Sequence, residues 1–295
     1  SKGYISYLRG ENPISFPVRL YPHHDSDKII KTPGIPIDIF GNKIPDEKRL
    51  SFLELYSSKL SGKQLEVYNN ESQFNKSMSS LRIETETMLL QLSNMVYPGE
   101  GEQIENDYGE GGLLTTMNGN IKQSCIQYEY KKETLEKYGE FFRKELIGDY
   151  SSKIQSILEI IERSEGIVFI YTNWIKSGVI PLVLALEQNG YQKHDGKKVL
   201  KTKDKIEPIS YEGKYISDYE DEKDFISGKY MVISGSSMGL TNKLEEELHV
   251  ATSENNKDGR KIKIIIGSSV ASEGLDFKNI RTIHILEPWH NINKL

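Results

Sequence analysis

The stretch IIIGSSVASEGLDF, residues 264–277, decides how the chain is to be read. Ile264-Ile265-Ile266 is a short β-branched run, the composition of a strand buried on both faces. The residues after it are small and polar. Ser268 and Ser269 offer hydroxyls beside backbone N–H groups, a donor set suited to a phosphate, and Gly274 permits a tight turn. Glu273 and Asp276 add acceptors that suit ribose hydroxyls. In most proteins such a loop is only a turn, so its meaning depends on its surroundings.

Working outward, the same strand-then-loop pattern recurs. Upstream, EGIVFIYTNW at 165–174 reads as a strand delivering Thr172 and Asn173 at its end, and Ser151-Ser152 can cap a preceding helix whose apolar side is Ile154, Ile157, Leu158 and Ile161. A helix through Leu182, Leu184 and Leu186 stops near Gly190. Then come a strand at 230–233, the small loop Ser234-Gly235-Ser236, a helix at 242–250, the strand at 262–266 and another at 282–286. Strands alternating with helices predict an α/β fold with a parallel sheet and right-handed crossovers. In such sheets ligands bind at the C-terminal ends of the strands, where all of these loops lie.

The first 135 residues read differently. Residues 1–40 mix aromatic and β-branched residues with Pro13, Pro17, Pro22, Pro33 and Pro36, which predicts short strands and turns. From 44 to 97 the pattern is helical, with a first turn at Pro45-Asp46-Glu47 and apolar positions at Leu50, Leu53, Leu60, Met88, Leu89, Leu90 and Leu92. Residues 98–120, PGEGEQIENDYGEGGLLTTMNGN, have the Gly-rich acidic composition of an exposed, mobile loop. A charged insertion at 195–228 is expected on the surface. The division expected is therefore a mixed β/helical segment at 1–135 and the parallel-sheet domain at 136–295.

Composition narrows the classes. With 37% hydrophobic residues over 295 positions the chain can bury a core, and no run approaches the roughly 20 apolar residues needed to cross a bilayer. The expectation is a soluble protein without membrane partners. The single Cys125 excludes an internal disulfide and fits a reducing compartment. A formal net charge of −5 means that any contact with nucleic acid is local, not drawn by a global positive field. His23-His24-Asp25 lacks a further ligand cluster and reads as surface. Trp174 and Trp289 abut predicted strand ends and read as packing residues.

Taken together, these segments resemble the C-terminal, second RecA-like domain of superfamily 2 helicases. The loop at 267–277 resembles motif V, in which Ser or Thr opens the loop and Gly-Leu-Asp closes it. Residues 165–174 resemble motif IV, Ser151-Ser152-Lys153-Ile154 the Ser-Lys segment of Swi/Snf-like proteins, Ile233-Ser234-Gly235-Ser236 the small loop between motifs IV and V, and Glu287-Pro288-Trp289-His290-Asn291 the stretch before motif VI. GYISYLRGENPISFP at 3–17 is similar to a segment of the helicases of large cytoplasmic DNA viruses, relatives of poxvirus nucleoside triphosphatase I and the early transcription factor ATPase.

The resemblance implies an ATP-dependent motor. Ser268, Ser269, Thr172, Asn173, Ser234 and Gly235 would contact the nucleic-acid backbone; Glu273, Gly274 and Asp276 would lie near the nucleotide at an interdomain cleft. ATP and Mg2+ are implied for the full-length protein only. No GxxxxGK[ST] sequence occurs, no Mg2+-binding acid follows a strand, and no Gln-x-x-Gly-Arg-x-x-Arg segment is present. The resemblance thus implies no catalytic residue in these 295 positions, a first RecA-like domain upstream, and motif VI beyond Leu295. Single-stranded or duplex nucleic acid is the implied partner, with viral transcription machinery as a further one and the cytoplasm, a viral factory or the virion as the place. The competing expectation is a non-hydrolysing helicase-like scaffold subunit of a viral transcription or packaging complex.

Overall fold

Alternating residues of the central strands face two different apolar layers, and this places the sheet in the middle of the domain. In the computed structural model of the chain, Val168, Ile170, Val232, Ile264 and Ile266 belong to one core, and Ile167, Met231, Ile233 and Ile265 to the other. A period of two with both faces apolar is what a strand needs when helices cover the sheet on either side. The structure describes residues 28–30, 42–48, 55–77, 83–99, 103–122, 125–234, 240, 243–269, 277 and 279–287.

Two compact units result, Ser1–Ser58 and Lys59–Leu295. In the first, β1 (Ile29–Ile30) pairs antiparallel with β2 (Leu55–Tyr56), and a 3-10 turn at Asp46–Lys48 matches the expected first turn. The remaining readings on residues 1–40, together with His23, His24, Leu50 and Leu53, lie outside the described residues.

The second unit begins with two helices, α1 (Gly62–Ser77) and α2 (Ile83–Asn94). A 3-10 turn (Ile104–Asn106) then leads into α3 (Gly109–Thr116) and the hairpin β3 (Met117–Lys122) and β4 (Cys125–Tyr130). After α4 (Lys132–Tyr138) and α5 (Lys144–Ile147) comes the strand-helix series. It runs α6 (Ser152–Arg163), β5 (Ile167–Tyr171), α7 (Ile180–Gln188), β6 (Gln192–Lys193), β7 (Leu200–Lys201), β8 (Lys229–Ile233), α8 (Leu244–Thr252), β9 (Ile264–Gly267) and β10 (Ile280–Ile285). The sheet order is β10-β5-β9-β8-β6, and every pairing in it is parallel. A parallel sheet flanked by helices is the RecA-like class expected from the sequence.

Three expectations change. The Gly-rich stretch at 98–120 is not an exposed insertion: it supplies α3 and most of β3, and Leu113 and Met117 are buried in the main core beside Tyr97 and Phe141. Gly112 explains the misreading. A Cβ there would stand 2.5 Å from Tyr97 Cδ2, so the glycine serves close packing and not loop freedom. Next, packing divides the chain at Ser58/Lys59 and not near 135/136, because Met95, Tyr97, Leu113 and Met117, all before 135, share a core with β5 and β9, while α1 and α2 meet in a smaller apolar cluster of their own. Finally, the 195–228 insertion is surface only in part. Val199, Leu200 and Ile209 are buried, and β7 pairs in parallel with β4.

Candidate nucleic-acid interface

Strands β5, β9 and β8 are adjacent and end in register: Tyr171 lies opposite Gly267, and Gly267 opposite Ile233. The residue after each end is Thr172, Ser268 and Ser234. Their placement is fixed by the ladder itself. Thr172 N–H donates to Gly267 O at 3.1 Å and Ser268 N–H to Ile233 O at 3.1 Å. Three hydroxyls from sequence positions far apart therefore form a row along the C-terminal edge of the sheet, the edge at which open α/β sheets bind ligands.

The three hydroxyls differ in what they do within the fold. Ser268 Oγ approaches Ile233 O at 3.4 Å. The Ser234 hydroxyl is buried and without a partner among the described residues, a condition that costs free energy unless a further group meets it. Ser269 comes next, on the exposed side. Gly235, Glu273, Gly274 and Asp276 lie outside the described residues.

Thr172 and Asn173 are both engaged within the fold. Thr172 Oγ1 donates to Glu287 Oε1 at 2.9 Å, and the Asn173 N–H donates to the same oxygen. The other carboxylate oxygen, Oε2, accepts from Asn94 Nδ2 at 2.7 Å. Asn94 Oδ1 in turn accepts from Lys153 Nζ at 2.8 Å, and Lys153 also donates to Ser93 Oγ at 3.0 Å and Leu286 O at 2.6 Å. A carboxylate thus occupies the donors expected to meet a phosphate, and ties the loop after β5 to the end of β10, the end of α2 and the first turn of α6. Asn173 Oδ1 accepts from Tyr171 OH at 2.8 Å.

Burial shapes the charges of this cluster. It lowers the Lys153 ammonium to about 8, opposed by the negative charge of Glu287. It raises the Glu287 carboxyl, opposed by the hydrogen bonds from Asn94, Asn173 and Thr172 and by Lys153. The three donors favour the charged form and so offset part of the rise that burial imposes.

Local sequence explains why the loop sits there. Gly178 belongs to a π-helical turn at Ile175–Val179 that precedes α7. A Cβ on it would stand 2.9 Å from Thr172 Cγ2 and nearer still to Oγ1. The turn is pinned by Tyr97 OH donating to Lys176 O at 2.8 Å and by Ser177 Oγ to Gln91 Oε1 at 3.0 Å. Such single π turns interrupt helices mostly where a neighbouring site needs the space.

Of the residues singled out from sequence, Thr172, Ser234 and Ser268 come together at one edge. Asn94 was not singled out. It closes α2, and its partner Glu287 stands 193 positions away, so no local pattern marks it. Lys153 and Glu287 stood in segments recognised by resemblance, but without an assigned role. Trp174 is half-buried with its indole Nε1 unpartnered among the described residues, in keeping with a packing position. No cluster of His, Cys, Asp and Glu fit for a metal occurs among the described residues, and no described helix is long and apolar enough to cross a membrane.

Comparison with known proteins gives viral relatives. No family model matches the chain. Two proteins of Acanthamoeba polyphaga mimivirus, each named as a putative ATP-dependent RNA helicase, align with the whole chain at 26% and 23% identity, over 27% and 38% of their own lengths. The African swine fever virus termination factor NPH-I homolog (isolate Tick/Malawi/Lil 20-1/1983) is 30% identical over 47% of the chain and 21% of its own length. The early transcription factor large subunit homolog of the same virus (isolate Tick/South Africa/Pretoriuskop Pr4/1996) is 28% identical over 45% of the chain and 11% of its own. The chain therefore spans well under half of these relatives. Its homologues are thus viral proteins named as helicases and as termination and early transcription factors, and its parallel sheet flanked by helices is consistent with a RecA-like fold.

Proposed function

We propose that this chain is the second motor domain of an ATP-dependent superfamily 2 translocase, which grips a nucleic-acid strand at the C-terminal edge of its sheet while ATP binds between it and a first RecA-like domain. The observation that carries this reading is the row Thr172, Ser268, Ser234, delivered by three adjacent in-register strand ends. Hydroxyls and backbone N–H groups at strand ends hold a sugar-phosphate backbone without reading its sequence. The Ser234 hydroxyl, unpartnered among the described residues, and the Ser268 hydroxyl, held only by a long bond to Ile233 O, are the donors we assign to the strand, with Ser269 and Asn173 next to the row in sequence and Gly235 as a further donor. Thr172 shapes the loop through Glu287.

The 295 residues contain no phosphate loop, so ATP and Mg2+ belong to the assembled cleft. There Glu273, Gly274 and Asp276 would face the ribose side, and arginines supplied beyond Leu295 would meet the charge developing on the transferred phosphoryl group. The relatives named as RNA helicase, termination factor and early transcription factor large subunit support a role in viral transcription.

Strand binding tests the reading. Ser268→Ala in the full-length protein is expected to weaken binding of a labelled single strand about tenfold, the loss of one charge-assisted hydrogen bond, while thermal unfolding stays unchanged. Wild-type strand affinity in both Ser268→Ala and Ser234→Ala would refute the assignment of this edge.

A further inference from the structure

The loop after β6 is a strand-end loop that the proposed function leaves unused, and it carries a dense run of positive charge. Residues 193–205, KHDGKKVLKTKDK, hold six lysines against two aspartates in a protein of net charge −5. Lys193 is buried and paired with Asp195 at 2.6 Å; Lys201 pairs with Glu129 at 2.7 Å. Lys197, Lys198, Lys203 and Lys205 are exposed, and among the described residues they enter no ion pair.

A run of lysines is commonly a solvated face, but this one is built into the fold. The buried Glu187 carboxylate accepts from the N–H groups of Val199 at 2.9 Å and Leu200 at 2.6 Å, and from Tyr230 OH at 2.6 Å. Val199 O accepts from Tyr128 N–H at 2.7 Å, fixing β7 against β4. Val199 and Leu200 are buried between the exposed lysines, so the cations stand on an anchored frame. The backbone at 199–201 therefore needs no further ordering when a ligand arrives, and the entropy cost is confined to the lysine side chains.

Topology supplies the partner. Lys193 pairs with Tyr230 of β8, and the chain leaves β6 in the same direction as β8, β9 and β5 leave the sheet. Along that edge the order of exits is Thr172, Ser268, Ser234 and then the lysine-bearing loop, with about 4.8 Å between successive strands. We propose that Lys197, Lys198, Lys203 and Lys205 form a second, electrostatic contact that continues the nucleic-acid path beyond the strand-end hydroxyls and takes the phosphates flanking the gripped segment. The inference rests on the proposed function, because it needs a strand lying along that edge. Hydroxyl and N–H donors fix the strand's position, whereas lysines on phosphates add affinity that salt removes.

The test measures affinity of the full-length protein for a labelled single strand by fluorescence anisotropy across a KCl series. One variant carries Lys197→Gln, Lys198→Gln, Lys203→Gln and Lys205→Gln. A charge-matched control carries Lys214→Gln, Lys257→Gln, Arg260→Gln and Lys261→Gln, exposed cations elsewhere on the chain. With roughly 0.7 of log-log slope per phosphate contact on a single strand, the first variant is expected to lose about 2 to 3 from the slope and at least tenfold in affinity at low salt. The control keeps the wild-type slope. A loop variant with the wild-type slope while Ser268→Ala still binds weakly would overturn the inference and leave the proposed function standing. So would wild-type strand binding together with capture of poly-glutamate by the loop, which marks an acidic protein as its ligand. A wild-type protein that binds no strand at all would overturn the proposed function, and this inference with it.

Discussion

At Glu287 one carboxylate satisfies Thr172, Asn173 and Asn94 at once, with Lys153 one step behind. Truncating it strands those donors in a buried site and leaves a buried ammonium with less opposing charge. Glu287→Ala is therefore expected to lower stability by about 3 kcal/mol in urea titration, the range measured when one partner of a buried charged network is removed. Glu287→Gln, which keeps an acceptor for Thr172, should cost less. Equal stability of wild type and Glu287→Ala would show that the network does not hold the loop. Gly178→Ala should act on the same loop from below, because the new methyl group would push on Thr172. At this scale the strand-end positions of Ser268, Ser234 and Thr172 were legible because each small polar residue stands at or one residue past the end of an apolar run. The lock was not legible, since it joins residues that only the tertiary fold brings together.

Among the elements, α6 and β10 show how local chemistry and burial divide the work. Ser151 Oγ accepts from Ile154 N–H at 3.1 Å, as a helix cap should, and also donates to Asn94 O at 2.5 Å. Ser151→Ala loses both and is expected to cost roughly 1–2 kcal/mol, read as a drop in the urea midpoint. The cap was visible in sequence; the second bond was not. In β10, His284 is half-buried with its Nε2 out of contact with water and without a partner among the described residues, and this desolvation lowers it to about 4 from an ordinary 6.5. A lowered folded-state value means that the unfolded chain binds the proton first. The stability tied to neutral His284 is present above about pH 6.5 and is lost as pH falls toward 4, by at most roughly 3 kcal/mol. His284→Leu should flatten that part of the stability profile between pH 6.5 and 4; an unchanged slope would place the acid sensitivity elsewhere. The Gly-rich stretch that became α3 was misread for a physical reason. Composition reports loop propensity, but Gly112 and Leu113 answer to the space beside Tyr97.

For the molecule as a whole, the alternation of strand and helix after 150 was strong enough in sequence to give a parallel sheet, because both faces of the central strands β5, β8 and β9 are apolar. The extent of the compact unit was not. Its boundary at Ser58/Lys59 depends on the packing of Met95, Tyr97 and Leu113 against the sheet side of the core, a long-range property. Asn94, at the end of α2, reaches Glu287, so the segment before 135 touches the lock on the loop after β5 directly. The central claim is that the C-terminal edge of the sheet grips a strand on behalf of an ATP-driven cleft. Strand-stimulated ATP hydrolysis by the full-length protein tests it most directly. The account predicts that Ser268→Ala raises the strand concentration for half-maximal stimulation about tenfold with the unstimulated rate unchanged, and that Asp276→Ala lowers the stimulated rate itself. Wild-type stimulation in both variants, with the fold intact, would contradict it.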